Sequence, residues 1–308
     1  MKLYKYVSAK LAKKFIERPM LRLSPAFSLN DPFEINIPKS TLDQMKNYVK
    51  SARKKNFERS LNSFMFKHGI VSLSATKESI LMWSHYAEEH KGFVVEIELE
   101  EGNEISALHA EPVPKHSDAA FSKVEYKEDR FLPFELTPET SERARKYYYE
   151  TKYIDWRYEE EYRFILPFDS ATVLLLKTTN SNYASIIEKL ELTPSSTPFH
   201  EISLGSLWAS WVLKSRTYEQ YHEALLEVWL GSNTNEAIFL VELSYAAISH
   251  LYIGAQADAK EFDSYFKEFN FSDVGYFSMM RDSYQKVSQA KLDLDSFSVN
   301  FKQFEPPQ

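Results

Sequence analysis

The chain has 308 residues, of which 44% are hydrophobic and 15% aromatic, and carries a net charge of −7, enough apolar material for one large domain or two small ones. It holds no cysteine, which excludes disulfides, thiolate catalysis and cysteine-ligated zinc and makes a reducing cytoplasm the expected location. Its 7 glycines form neither a GxGxxG dinucleotide fingerprint nor a GxxxxGK[ST] phosphate loop.

No apolar stretch follows Met1-Lys2-Leu3-Tyr4, so no secretion signal is expected, and no apolar run is long enough to span a membrane. The charge is unevenly spread. Residues 1–70 hold 15 Lys/Arg and 5 Asp/Glu, a balance of +10, and the rest carry 22 and 39, a balance of −17. A polyanion would be drawn to the first part and repelled by the remainder.

In chain order, Leu3 to Val7 alternates and reads as a strand. Ala9 to Glu17 reads as a helix with Ser8 as N-cap and Leu11, Phe15 and Ile16 facing inward. Met20 to Ser24 is a second strand, and Pro25 to Pro32, with an Asn-Asp pair, is a turn-rich loop that is either structural punctuation or a ligand loop. Thr41 to Lys67 reads as a helical segment whose Lys46, Lys50 and Arg53 line one face, joined by Lys54, Lys55 and Arg59. That stripe is either a solvated face or a contact for nucleic acid or an antitoxin.

Ile70 to Ser74 is a third strand, Leu81 to Ala87 a helix ending before Gly92, and Phe93 to Leu99 a strong strand. A Pro- and His-containing loop covers residues 101–122, Val124 to Tyr126 reads as an edge strand, and Ser141 to Lys152 as a helix. Tyr153 to Leu166 reads as one long strand with its entry turn. Alternation puts Trp156, Tyr158, Glu160, Tyr162 and Phe164 on one face and Arg157, Glu159, Glu161 and Arg163 on the other. Two carboxylates on one face, flanked by guanidinium groups, suit a sugar hydroxyl or a cationic transition state; the plainer alternative is a solvated face with cross-strand ion pairs. Leu174 to Trp229 reads as largely helical, and its stripe of Trp208, Trp211, Tyr218, Tyr221, Leu225 and Trp229 reads as core. Ala237 to Leu243 and His250 to Gly254 are strands, Ala259 to Phe269 a helix, and Lys286 to Lys291 the last strand before a tail ending in Pro306-Pro307.

Among chemical constellations, no HExxH or GxSxG occurs. His85 and His90 are five apart and do not share a helix face, so no histidine metal site is expected. Glu96 and Glu98 share a strand face and, with Glu159 and Glu161, form the alternative of a Mg²⁺-dependent nuclease; a non-catalytic binding module is the third class.

Several separated stretches point the same way: Leu3-Tyr4-Lys5-Tyr6, Leu21 to Pro25, Leu29-Asn30-Asp31-Pro32-Phe33-Glu34, Met82 to Ala87 with Lys91-Gly92, and Trp156-x-x-Glu159-x-Glu161-Tyr162-Arg163. Together they resemble a bacterial family known as a domain of unknown function, from residue 3 to about 166 and again around Ile248 to Gly254. Residues of about 175–235 look like an insertion. The layout is in turn similar to the ADP-ribosyltransferase superfamily. That resemblance implies a single α+β domain over residues 1–308 with a split, bent β-sheet, the basic helical segment 41–67 and the helical insertion. It further implies NAD as substrate and a toxin-like or phage-defence role, held by an antitoxin or chaperone. By the same resemblance Glu161 is catalytic with Glu159 as partner. Lys5, standing where His or Arg is usual, contacts a ribose. Tyr6, Ser24, Asn30 and Asp31 belong to the NAD site, and Trp83, His85 and Tyr86 shape the nicotinamide pocket. The basic residues Lys46, Lys50, Arg53, Lys54 and Lys55 favour a nucleic-acid acceptor, RNA first.

Overall fold

The computed structural model describes residues 1–34, 37–41, 43, 66–109, 119–137, 139–177, 199–214, 217–232, 237–268 and 284–307. The alternating or apolar runs near the start become strands β1 (Lys2–Val7), β2 (Met20–Pro25), β3 (His68–Ser74) and β4 (Phe93–Glu98). Short strands β5 (Leu108–His109), β6 (Ala120–Lys123), β7 (Glu125–Lys127) and β8 (Thr151–Tyr153) follow. Next come β9 (Glu161–Pro167), β10 (Val173–Lys177), β11 (Phe199–Ser203), β12 (Ala237–Leu243), β13 (Ile248–Ile253), β14 (Val287–Asp293) and β15 (Ser298–Gln303). The helices that matter below are α1 (Ala12–Glu17), α2 (Ile80–Tyr86), α3 (Ser141–Glu150), α4 (Leu204–Leu213), α5 (Tyr218–Leu230) and α6 (Ala259–Glu268). The class is mixed α+β. Thirteen strands join one mixed sheet, and β7 and β8 form a separate parallel pair.

The sheet forks at β3. One edge of β3 pairs with β9 along its whole length, from His68↔Pro167 to Ser74↔Glu161. The other edge is shared: β2 takes its start through Ser24↔Ile70 and Pro25↔Gly69, and β1 takes its end through Tyr4↔Ser74. Beyond the fork, β1 leads to β4, β13, β14 and β15, and β2 leads to β12, β10 and β11. Between the two branches the middle of β3 has no ladder partner on that edge among the described residues, and the Ser72 carbonyl accepts from Lys5 Nζ at 2.9 Å. A buried backbone carbonyl needs a partner, and here a side chain supplies it.

Apolar residues from both branches merge into one core, which includes Leu3, Val95 and Ile97 on one side and Leu21, Leu23, Phe239 and Val241 on the other. Trp211, Tyr221, Leu225 and Trp229 are buried in it, as the stripe predicts, with Trp208 packed against it. Helix α5 begins in a complete capping box, Thr217 with Gln220.

Five expectations need correction. Ile154–Glu159 is a 3₁₀ helix, so the long strand is confined to Glu161–Pro167. The segment read as largely helical contains β10 and β11 before α4 and α5, because Val173 to Leu176 is an apolar run laid between β11 and β12. The tail contains β15, which closes a hairpin with β14. Residues 101–122, read as a loop, contain β5 and the start of β6, whereas the edge strand read at Val124 to Tyr126 is present as β7, paired with β8. Ser8 makes no side-chain cap, and Leu11 is 52% exposed, because the helix opens with a 3₁₀ turn that rotates Leu11 away from buried Phe15 and Ile16. The basic residues Lys46, Lys50, Arg53, Lys54, Lys55 and Arg59 lie outside the described residues.

Candidate active site

The fork opens into a cavity of about 240 Å³. Its walls come from β1 (Tyr4, Lys5, Tyr6), β2 (Arg22, Ser24), β3 (Ser72, Leu73, Ser74), the loop after β2 (Ser28, Leu29, Asn30, Glu34), α2 (Met82, Tyr86) and the β8–β9 stretch (Lys152, Glu159, Glu161). In β2 buried and half-buried residues alternate, so Leu21 and Leu23 enter the core and Arg22 and Ser24 face the cavity.

Glu159 and Glu161 are both buried, yet not by simple strand alternation. Glu159 ends the 3₁₀ helix, Glu160 turns in the left-handed region at φ 44 and ψ 50, and Glu161 starts β9. The turn is pinned on both sides, because Ala75 N donates to Glu160 O at 2.9 Å and Ser74 Oγ donates to Glu159 O at 2.6 Å. This left-handed step lets consecutive odd residues reach one site from two different elements.

The carboxylates sit in unlike surroundings. Glu161 is gripped by Arg163, with Nε to Oε1 at 2.9 Å and Nη2 to Oε2 at 2.8 Å, a bidentate pair with Arg163 only 1% exposed. Burial pushes the Glu161 carboxyl up, but Arg163 and Lys152 outweigh it and hold it down at about 2. Glu159 accepts from Tyr86 Oη at 2.6 Å and from Lys152 Nζ at 2.6 Å. There burial prevails over Lys152, and Glu161 adds to it, so the Glu159 carboxyl is raised. The solvated-face alternative is therefore excluded for Glu159, Glu161 and Arg163.

Two residues of this cluster are not in the sequence reading of the site. Lys152 Nζ also meets Glu34 Oε1 at 2.9 Å and Glu161 Oε2 at 3.3 Å, and lies 4.7 Å from the Trp156 ring centroid. Burial pulls its ammonium down, but Glu161, Glu34 and Glu159 together keep it charged. Glu34 Oε1 accepts from Arg163 Nη2 at 2.9 Å as well. Glu34 closes the Leu29–Glu34 motif, which was its available signal. Lys152, at the end of an expected helix, had none.

Of the expected NAD-site residues, Lys5, Tyr6, Ser24, Asn30 and Tyr86 line the cavity. Asn30 Nδ2 donates to Tyr86 Oη at 3.4 Å. Asp31 is buried in its own turn, accepting from Phe33 N at 2.8 Å, and lines a neighbouring cavity beyond Glu34 and Lys152. Trp83 is wholly buried behind Tyr6, its Nε1 donating to Lys77 O, and does not reach the cavity. His85 is exposed, against Tyr86 and Tyr158. The structure does not bring Glu96 and Glu98 to this site. Glu96 shares a cross-strand row with Glu161, but Tyr4 and Ser74 stand between, a separation of roughly 14 Å at strand spacing. It is occupied by Lys2, Ser249 and Tyr252 instead, while Glu98 is exposed. Among the described residues no group of three or more His, Asp or Glu is placed to hold a metal ion, and no helix is long and apolar enough to cross a membrane.

No curated protein and no solved structure matches the chain. Residues 82–164 match the family described as "protein of unknown function (DUF2971)", a stretch that carries Tyr86, Lys152, Glu159, Glu161 and Arg163 and leaves Lys5, Arg22 and Glu34 outside it.

Proposed function

We propose that the chain is an NAD-dependent ADP-ribosyltransferase of toxin-like or phage-defence type, acting in the cytoplasm, with an ADP-ribosyltransferase-like split sheet. The observation that carries this reading is the unlike carboxylate pair at the cavity, Glu161 held charged by Arg163 and Glu159 pushed up beside Tyr86. Two carboxylates whose environments separate their acidities mark distinct roles in glycosyl chemistry.

In the proposed reaction the bond from the ribose C1′ to the nicotinamide nitrogen breaks, and its electron pair leaves with nicotinamide. The oxocarbenium-like centre is stabilised by the Glu161 carboxylate, fixed in its charged form. Glu159 takes the proton of the acceptor as the new bond to C1′ forms, a role that suits a carboxylate made more basic by burial. Tyr86 orients Glu159, and Lys152 ties it to the rest of the cluster. Glu161 thus stays the charge-stabilising carboxylate and Glu159 the partner that handles the acceptor's proton, in keeping with the resemblance.

The proposed acceptor is nucleic acid, RNA first, on the strength of the +10 balance in residues 1–70. An antitoxin or chaperone would restrain such an activity. Incubating the protein with NAD labelled in its adenylate part, together with cell RNA and cell protein, tests the reading. Label should appear on RNA and depend on Glu159; NAD left intact with every acceptor would overturn it.

A further inference from the structure

The cavity has a second, basic wall that the carboxylate chemistry does not use. Lys5 and Arg22 face it from β1 and β2, the two strands that part at the fork. Lys152 and Arg163 are spent on Glu34, Glu159 and Glu161. Lys5 gives one hydrogen bond to the Ser72 carbonyl. Among the described residues no carboxylate forms an ion pair with either Lys5 or Arg22. Burial alone pushes the Arg22 guanidinium down, with no acidic neighbour to offset it. Burial also lowers Lys5, Glu161 pulls it back, and Arg22 lowers it further.

Two like charges placed together in a half-buried cavity disfavour the folded chain unless something neutralises them. Removing Arg22, on which burial alone acts, would relieve that cost, so its presence beside Lys5 is best explained by a ligand that brings negative charge. The geometry restricts its class. A guanidinium presents a planar fork of donors that matches phosphate oxygens, and an ammonium supplies a second point charge from across the gap. The site must also accept a group continuous with whatever reaches Glu159, because both walls belong to one cavity.

We propose that Arg22, with Lys5 across the fork, forms a binding subsite for the diphosphate of a nucleotide, with Arg22 as its bidentate anchor. This replaces the ribose contact expected of Lys5, and it deepens the NAD reading, on which the identity of the nucleotide rests. The subsite itself needs no transfer reaction. A nucleoside diphosphate and free inorganic pyrophosphate share this chemistry, and the nucleotide is the ligand that also spans the cavity toward Glu159.

The test is calorimetric binding of ADP-ribose, ADP, adenosine and inorganic pyrophosphate to the full chain and to Arg22→Gln, Arg22→Lys and Lys5→Gln. Wild type should bind ADP-ribose and ADP far more tightly than adenosine. Arg22→Gln and Lys5→Gln should each weaken ADP-ribose by about tenfold or more, as loss of a charged hydrogen bond requires. They should leave adenosine unchanged, and Arg22→Lys should recover part of the loss. Arg22→Gln should melt at or above the wild-type temperature, because a cation without an ion-pair partner has been removed, whereas Lys5→Gln also gives up the Ser72 hydrogen bond and should melt lower. ADP-ribose binding that is the same in all four proteins overturns the subsite, and it does so even if NAD transfer is observed. Pyrophosphate bound as tightly as ADP-ribose, with no gain from the nucleoside, overturns the nucleotide. Arg22-dependent ADP-ribose binding without any transfer leaves the subsite standing and rejects the transferase reading.

Discussion

Glu161 and Glu159 answer to different tests because they do different things. Glu161 is one half of a buried, bidentate pair, and removing one partner of such a pair strands the other charge. Glu161→Gln is therefore expected to cost about 3–5 kcal/mol in urea unfolding. Glu159→Gln should stay within about 1 kcal/mol of wild type, since Lys152 keeps Glu34 and Glu161, yet it should lose about 10²–10³ in transfer rate. Equal stability losses in the two variants would contradict this division. Acid pH reads the same contrast. The Glu161 and Glu96 carboxyls are held at about 2 in the folded chain against an ordinary 4.5, so the unfolded chain binds more protons between those values. Their stabilisation is full above the ordinary value and is lost as pH falls toward about 2. Glu159, raised, has the opposite sign: its ionised form costs stability, and protonation relieves it. The two depressed carboxyls outnumber it, so the urea midpoint should fall steadily as pH drops from about 5 to about 2.5. A midpoint that holds constant across that range would refute the assignment of the charged pair.

At the scale of elements, the β8–β9 connection places the site. Glu160 adopts the left-handed region at φ 44, where a side chain costs about 1–2 kcal/mol. Glu160→Gly should raise stability by roughly 1 kcal/mol and keep activity, whereas Glu160→Val should lower both by forcing Glu159 out of line with Glu161. A second close approach lies where the chain leaves α2. A Cβ on Gly92 would meet the Val7 carbonyl at 2.1 Å, and Gly254 N donates to Gly92 O at 2.8 Å. Gly92→Ala should therefore destabilise by about 1–3 kcal/mol, as measured by thermal melting. Period-two spacing correctly put Glu161 and Arg163 on one strand face, since both lie in β9. It grouped Glu159 with them for the wrong reason, because a single left-handed residue leaves no periodic trace. The cluster partners Glu34 and Lys152 come from 118 residues apart along the chain, joined only by tertiary folding, and no local pattern encodes that. Likewise β10 and a helix both read as apolar, and only its neighbours β11 and β12 make it a strand.

For the whole molecule, the fork matters most. It creates one cavity with an ion-paired acidic wall and a basic wall that, among the described residues, forms no ion pair, and β3 pairs with a strand of each sheet branch. The proposed polyanionic acceptor would be attracted to residues 1–70, with their balance of +10, and repelled by the rest. Replacing Lys50, Arg53, Lys54 and Lys55 with Ser should reduce RNA modification and flatten its dependence on salt, while ADP-ribose binding stays as in wild type. Unchanged modification across salt concentrations would remove nucleic acid from the account. In the proposed reaction Glu159 would perform the transfer and the rest of the cluster would hold it in place. The direct measurement is label transfer from NAD by Glu159→Gln beside wild type, with both proteins shown by melting to be folded. The account predicts a folded variant with transfer reduced by about 10²–10³; a folded variant transferring at the wild-type rate would contradict it.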